Sequence, residues 1–341
     1  MNSYKVSVVV PVYNSEKTLK KTLSALLSQT LKDLQIICIN DGSTDSSQAI
    51  LEYFAKENPN MVVIKTDNKG AYKAREEGIR IAIGDYIGFC DADDEPLPNF
   101  YEKMADKADK EGADLVVSAY TRIKDNGSSN IEMSNFCNTS LPISSDSGWL
   151  VSVNTSLWNK IVKAPLVKEV PKLQKPPRIM EDALLLFLIY PKAKKIAFIN
   201  EPLYNYYIAS NSTMSTTSFA EINEILACWD QVRKNASDTE DKFEEIIDLA
   251  VFVHLKVSAT LSLSNNPNIS IKKYLAFIDK QLNRRFPFAN NSPFMKRSYL
   301  KNNKQLTLVK LAYVASKLNV LGIAIKTYKR LSRFGKTEIK W

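Results

Sequence analysis

Five apolar runs separated by helical patterns fill the first 120 residues, and this alternation limits the fold more than any other feature. VSVVVPV (6–12) is a continuous β-branched run, the pattern of a strand covered on both faces. LQIICI (34–39), MVVIK (61–65), DYIGFC (85–90) and ADLVVSAY (113–120) repeat it. Between them, Leu19, Leu23, Leu26 and Leu27 share one helical face after Ser15, which the pattern predicts as an N-cap. Ile50, Tyr53 and Phe54 follow NDGSTD, where Ser43 or Thr44 is placed to cap a second helix. Residues 70–84 read as a helix closed by Gly84, and 99–112 as another. The expected class is α/β, with an open, mostly parallel sheet and helices on both faces. Ligands bind such sheets beyond the carboxyl ends of the strands. Three polar clusters stand there: PVYNS after the first strand, NDGSTD after the second, DADDE after the fourth.

Residues 121–148, rich in Ser and Asn, read as a long loop. The segment from 149 to about 207 is mixed, with Pro165, Pro171, Pro176 and Pro177 as breakers. From Phe219 the pattern is mainly helical, so the chain divides into residues 1–215 and a helical region, 216–341.

Charge follows this division. Residues 1–150 hold 16 basic and 22 acidic side chains, and the remainder 30 and 15. Residues 296–341 alone hold 12 basic and one acidic. A basic end of this kind attracts nucleic acid or an anionic membrane. The start of the chain has no signal-peptide pattern, and its apolar runs read as shorter than the ~20 residues a bilayer span needs, so neither export nor insertion is expected. The four cysteines form no CxxC pair, which suits a reducing cytosol. The single histidine, His254, lies in LAVFVHLKV and reads as a core residue, which argues against histidine-based catalysis.

FCDADDEPLP (89–98) sets four acids in five positions directly after an apolar strand. Asp91 and Asp93 are two apart and in extended chain point to one side. Paired carboxylates of this kind suit a hard divalent cation, Mg²⁺ or Mn²⁺, which relieves their repulsion. Pro96 occupies the position where an EF-hand loop needs glycine, and Glu95 the one where a haloacid-dehalogenase-type phosphatase usually has Thr or Val. Neither G-x-G-x-x-G nor G-x-x-x-x-G-K-[ST] occurs.

Four stretches together resemble family 2 glycosyltransferases, which have the nucleotide-sugar-binding GT-A fold. They are VSVVVPVYNSEKTLKKTLSALLSQT, LQIICINDGSTDSS, NKGAYKAREEGIRIAIGDYIGFCDADD and RIMEDALLLFLIYPKAKKIAFINEPLYNYY. Order and spacing agree over about residues 6–120 and more loosely over 150–215. The sequence departs from the family pattern at Asn40, Glu76, Ile208 and Ala209.

The resemblance implies an inverting, metal-dependent transfer from a UDP-sugar to a glycan or lipid-linked hydroxyl, in cell-surface polysaccharide assembly. It implies Asp93 as the main metal contact, Asp91 facing ribose or metal, and Asp94 as a second ligand. Pro11, Val12, Tyr13 and Asn14 leave the first strand at the base pocket, where Tyr13 stacks on uracil. Asp41 accepts from the uracil N3–H, and Ala92 lies beside the nucleotide. Arg75 and Lys73 meet phosphate or the uracil edge. Asp182 of the Glu181–Asp182 pair is the implied general base, at a helix start that favours anions. Trp158, Asn159 and Lys160 shape the sugar and acceptor side, and Ser212 holds a closing loop near the diphosphate.

The basic helical end is expected to contact an anionic membrane surface, on the cytoplasmic face, or to form a homo-oligomer. Two other readings stay open at this level: a sugar nucleotidyltransferase, and a non-catalytic binding protein with a basic tail. PVYNSEKTL has no glycine, which counts against the first; the set Asp41, Asp91, Asp93 and Asp182 counts against the second and against a nucleic-acid partner.

Overall fold

A computed structural model describes residues 4–332 except 134, 135, 137, 209–217, 238–242, 265, 267 and 297–303. The chain forms two compact units, Met1–Ile143 with Ser156–Ser210, and Ser144–Thr155 with Asn211–Trp341.

In the first unit the alternation becomes β1 (Val6–Val12), α1 (Leu19–Leu27), β2 (Leu34–Asp41), α2 (Ser47–Glu57), β3 (Met61–Thr66), α3 (Ala71–Ile81) and β4 (Tyr86–Phe89). A two-residue strand β5 (Glu95–Pro96), α4 (Phe100–Glu111), β6 (Leu115–Ile123), β7 (Ser129–Glu132) and β8 (Ser140–Pro142) follow. The unit closes with β9 (Lys160–Lys163), α5 (Ala164–Lys168), α6 (Glu181–Ile189) and β10 (Lys195–Tyr207). The sheet order is β3-β2-β1-β4-β9-β6-β10-β5, with β7 on β6 and β8 on β10. β1 pairs in parallel with β2 on one side and β4 on the other, so strand order reverses at β1. Such a reversal opens a crevice beyond the strand ends. β5, β7, β8 and β9 are antiparallel, which makes the sheet mixed.

Val6, Val8, Val9, Val10 and Val12 are all fully buried, which explains why β1 does not alternate. α3 crosses β1 so closely that a Cβ on Gly78 would lie 2.3 Å from a Val9 methyl. Gly84 stands outside α3, which ends at Ile81, and its amide donates to the Ser7 hydroxyl at 2.8 Å.

Several local expectations change. Residues 121–148 are not all loop: β6 runs on to Ile123 and turns back into β7 through Gly127, whose φ of 76° favours glycine. Ser15 does not cap α1 with its side chain; its carbonyl accepts the Thr18 and Leu19 amides. Ser43 and Thr44 do not cap α2 either. They join the loop after β1, Ser43 accepting the Asn14 amide at 3.0 Å and the Thr44 amide donating to Asn14 Oδ1 at 2.8 Å.

In the second unit, α7 (Phe219–Ser237), α8 (Glu244–Val251), a π-helical turn at Phe252–Ser258 and α9 (Ala259–Leu263) precede α10 (Ile271–Arg285), α11 (Lys304–Lys317) and α12 (Leu321–Ser332). Residues 144–155, placed with the front half by sequence, belong to this unit because Leu150 and Val151 are buried against α8. The stretch Glu244–Leu263 is long and apolar enough to cross a membrane, a correction to the expectation from run length, yet it is 83% buried within the protein. His254 lies in it, 4% exposed and stacked on Trp229, and burial pushes its pKa down to about 4.

Candidate active site

A cleft of about 760 Å³ opens at the carboxyl ends of β1, β2 and β4. Of the residues picked out from sequence, Pro11, Val12, Tyr13, Asn14, Asp41, Arg75, Asp91, Ala92, Asp93 and Glu181 line it. Each comes from a strand end or from the first turns of a following helix. Tyr13 is 52% exposed, so its ring is free to receive a flat partner. Asn14 has φ 47°, a left-handed conformation that asparagine tolerates. Asp41, at the end of β2, accepts the Lys69 and Gly70 amides, each at 2.8 Å, and so fixes the entry to α3.

Arg75 organises the centre. It lies on the inner face of α3 with its side chain only 5% exposed. Its guanidinium reaches Asp91 at 3.2 Å, Glu181 at 3.3 Å and Asp182 at 3.0 Å. A buried guanidinium is costly unless paired, and here carboxylates from two distant stretches of sequence supply the pairing. Burial pulls the Arg75 pKa down, and Asp182, Asp91 and Glu181 more than offset this. Burial pushes Asp91 up to about 6, against the pull of Arg75. Burial, then Asp182, push Glu181 up to about 7.

Glu181 and Asp182 form the first turn of α6, where the helix dipole favours anions. Met180 just before them has φ 65°, a conformation rare outside glycine and asparagine, and it bends the chain into this helix. The second oxygen of Asp182 accepts the Leu157 amide at 3.4 Å.

The acid cluster is not extended chain. Asp94 N–H donates to Asp91 C=O at 3.2 Å, closing a turn, so spacing alone does not set the side-chain directions. Asp94 is fully buried and does not line the cleft. It accepts the Tyr204 hydroxyl at 3.1 Å and the Tyr207 amide at 3.0 Å, and burial pushes its pKa well up. Both of its carboxylate oxygens thus hold β10, through Tyr204 and Tyr207. Glu95 pairs with Lys21 at 2.6 Å and with the Tyr207 hydroxyl. Asp93 stays exposed on the cleft wall and bonds no other side chain among the described residues. Among the described residues no group of three or more His, Cys, Asp or Glu side chains could hold a metal. Asp91 and Asp93 nevertheless suit a Mg²⁺-like ion, which takes one or two carboxylates and completes its shell from substrate phosphates and water.

Trp158, Asn159 and Lys160 do not reach the cleft wall. Trp158 is stacked between Tyr204 (4.7 Å) and Tyr206 (5.0 Å), with Tyr120 edge-on at 4.6 Å. Asn159 donates to Ser118 C=O at 2.7 Å. Lys160 is fully buried, donating to Ser156 C=O and Asn159 Oδ1; burial pushes its pKa far down against the pull of Asp182. Lys73 pairs with Glu76 at 2.5 Å. Ser212 lies outside the described residues.

Sequence reasoning missed a second wall made by Ser15, Glu16, Lys17, Thr18, Thr44 and Asp45. Two loops clasp here: the Glu16 amide donates to Asp45 at 2.9 Å and the Ser46 amide to Glu16 at 3.0 Å. The matching polar runs at two adjacent strand ends were the available signal.

The model for "Glycosyl transferase family 2" matches residues 7–163. Glycosyltransferase GlyG of Streptococcus pneumoniae is 31% identical over 222 residues, 62% of this chain and 73% of that protein. The poly(ribitol-phosphate) beta-glucosyltransferase of Bacillus spizizenii is 31% identical over 281 residues, 79% of this chain but 42% of that protein. With other relatives the match spans about a third of their length. The crystal structure of S. aureus TarS 1-349 in complex with UDP-GlcNAc superposes with a TM-score of 0.72 at 19% identity, covering 96% of this chain and 92% of that one. That likeness establishes the GT-A fold. GlyG, aligned over nearly three quarters of its length, and the matched family model place the chain in glycosyltransferase family 2.

Proposed function

We propose that the chain transfers a sugar from a UDP-sugar to a hydroxyl of a cell-surface glycan or lipid-linked acceptor, with inversion, on the cytoplasmic side of the membrane. The observation that carries this reading is the Arg75 bridge, which ties the Asp91 end of the nucleotide cleft to the Glu181–Asp182 pair. Donor and acceptor chemistry are thereby held at one point. The relative that acts on poly(ribitol-phosphate) and the UDP-GlcNAc bound to TarS support the choice of donor and acceptor class.

In this mechanism Tyr13 stacks on the uracil ring. Asp41 Oδ1 takes the Lys69 amide and the Thr66 hydroxyl, while Oδ2 keeps a lone pair beside the Gly70 amide and accepts the uracil N3–H. Asp93 and Asp91 are the residues that would hold Mn²⁺ or Mg²⁺, and such an ion would supply neutralisation of the charge on the leaving diphosphate. Asp182 takes the proton of the acceptor hydroxyl as that oxygen bonds the anomeric carbon. The bond from that carbon to the diphosphate oxygen breaks in the same displacement, and UDP leaves with the electron pair. Arg75 fixes the position of Asp182 throughout. The buried Trp158 packs against Tyr204 and Tyr206 of β10.

The test is UDP release from a panel of UDP-sugars with Mn²⁺ and a poly(ribitol-phosphate) acceptor, with the product anomer read by NMR. Release of UDP with an inverted anomeric centre supports the reading. A retained anomeric configuration, or no release with any UDP-sugar, overturns it.

A further inference from the structure

The outward face of α11 and α12 combines two properties rarely left together on a surface. Leu311 (60% exposed), Val314 (47%) and Leu318 (66%) lie on one face of α11 and its end, spaced by three and four residues. Val320 (39%) and Ile323 (67%) continue the patch into α12. The inward face is satisfied: Leu306, Val309, Leu321 and Ile325 are buried. Lys310, Lys317, Lys326 and Arg330 are exposed among the apolar residues. Lys317 donates to Asn291, a neutral partner that leaves its charge uncompensated. From residue 280 to residue 337 the chain has no Asp or Glu. A cavity of about 430 Å³ opens beside Ile323, with Lys272 and Lys326 on its lining. The one acid there, Asp279, is already paired with Lys256.

We infer that the α11–α12 hairpin is a docking surface for an anionic lipid bilayer, with Leu311, Leu318 and Ile323 entering the interfacial layer and the lysines meeting lipid phosphates. Apolar side chains flanked by cations, with Asp279 beside them already paired to Lys256, match the chemistry of an anionic leaflet. A second copy of the chain is disfavoured by the same charges, because two such hairpins face to face bring only cations together. A nucleic acid would use the cations and leave five exposed apolar side chains without a partner.

The test is flotation of the full chain with vesicles of equal parts phosphatidylglycerol and phosphatidylcholine, and with phosphatidylcholine alone. Flotation needs no nucleotide, so its outcome is independent of donor chemistry. The unaltered chain floats with the anionic vesicles, less so at high salt, and stays down with the neutral ones. The triple variant Leu311→Ser, Leu318→Ser, Ile323→Ser loses flotation at least tenfold. Lys310→Glu with Lys326→Glu lowers it by about fivefold or more per site. Both variants change only exposed side chains, so each should keep the circular dichroism of the parent. Equal flotation of parent and variants, or no flotation of the parent, overturns the inference. So does a parent dimer in light scattering that the triple variant returns to monomer.

Discussion

The Arg75 guanidinium stands 3.0 Å from the Asp182 carboxylate, an α3 side chain meeting the first turn of α6. The same guanidinium also contacts Asp91 and Glu181, so one buried cation sets the position of three carboxylates. Removing it leaves those acids facing one another. Arg75→Ala is therefore expected to cost about 3 kcal/mol or more in urea unfolding, the range for breaking a buried ion pair. Arg75→Lys recovers only part of this, because an ammonium cannot span three partners as a planar fork does.

Asp182→Asn separates binding from chemistry. The amide keeps the shape of the side chain and cannot take a proton. Turnover should fall by about 10²–10⁴ while UDP affinity in calorimetry stays near that of the parent. A matching loss of UDP affinity would move Asp182 from the acceptor side to the nucleotide.

Glu181 gives a pH signature. Its folded pKa is raised to about 7 from an ordinary 4.5, and that of Asp91 to about 6 from 3.8. The folded state then binds more protons than the unfolded state between these values. Stability is present in full below about pH 4 and is lost as pH rises through 6 to 7. Glu181→Gln should flatten that slope in denaturant titrations and raise stability at pH 8 by on the order of 1 kcal/mol. An unchanged slope would mean that Glu181 is not the group responsible.

Asp93 and Asp94 are adjacent and should behave oppositely. Asp93→Ala should abolish metal-dependent UDP binding. Asp94→Asn should leave that binding within about threefold, since Asp94 faces Tyr204 and Tyr207 rather than the cleft. Asp94→Leu should instead lower the unfolding midpoint. It strands the Tyr207 amide, at a cost of about 1–3 kcal/mol for a buried donor left unmet, and leaves the Tyr204 hydroxyl only the weak Cys90 sulfur as acceptor.

The parallel half of the sheet was legible because β1, β2 and β4 are buried on both faces and therefore read as unbroken apolar runs. β5, with two residues, and β9, with four, were not, because strands so short exist only through distant partners: Glu95 opposite Asn205, and Ile161 opposite Gly88 and Val116. The cleft residues at strand ends were found for the reason that found the strands. The inward turn of Asp94 was not, because the tyrosines that claim it are more than a hundred residues away. The triple pairing of Arg75 escaped notice similarly: Asp91 and the α6 acids meet only when α3 packs on β1, a contact whose closeness is visible at Gly78.

The most direct test of the central claim is calorimetric titration of UDP, alongside GDP, CDP and ADP, each with Mn²⁺ and with EDTA. UDP should bind best, only with the metal present, and binding should vanish in Asp93→Ala. No binding of any nucleotide, or UDP binding unchanged by EDTA and by Asp93→Ala, would contradict it.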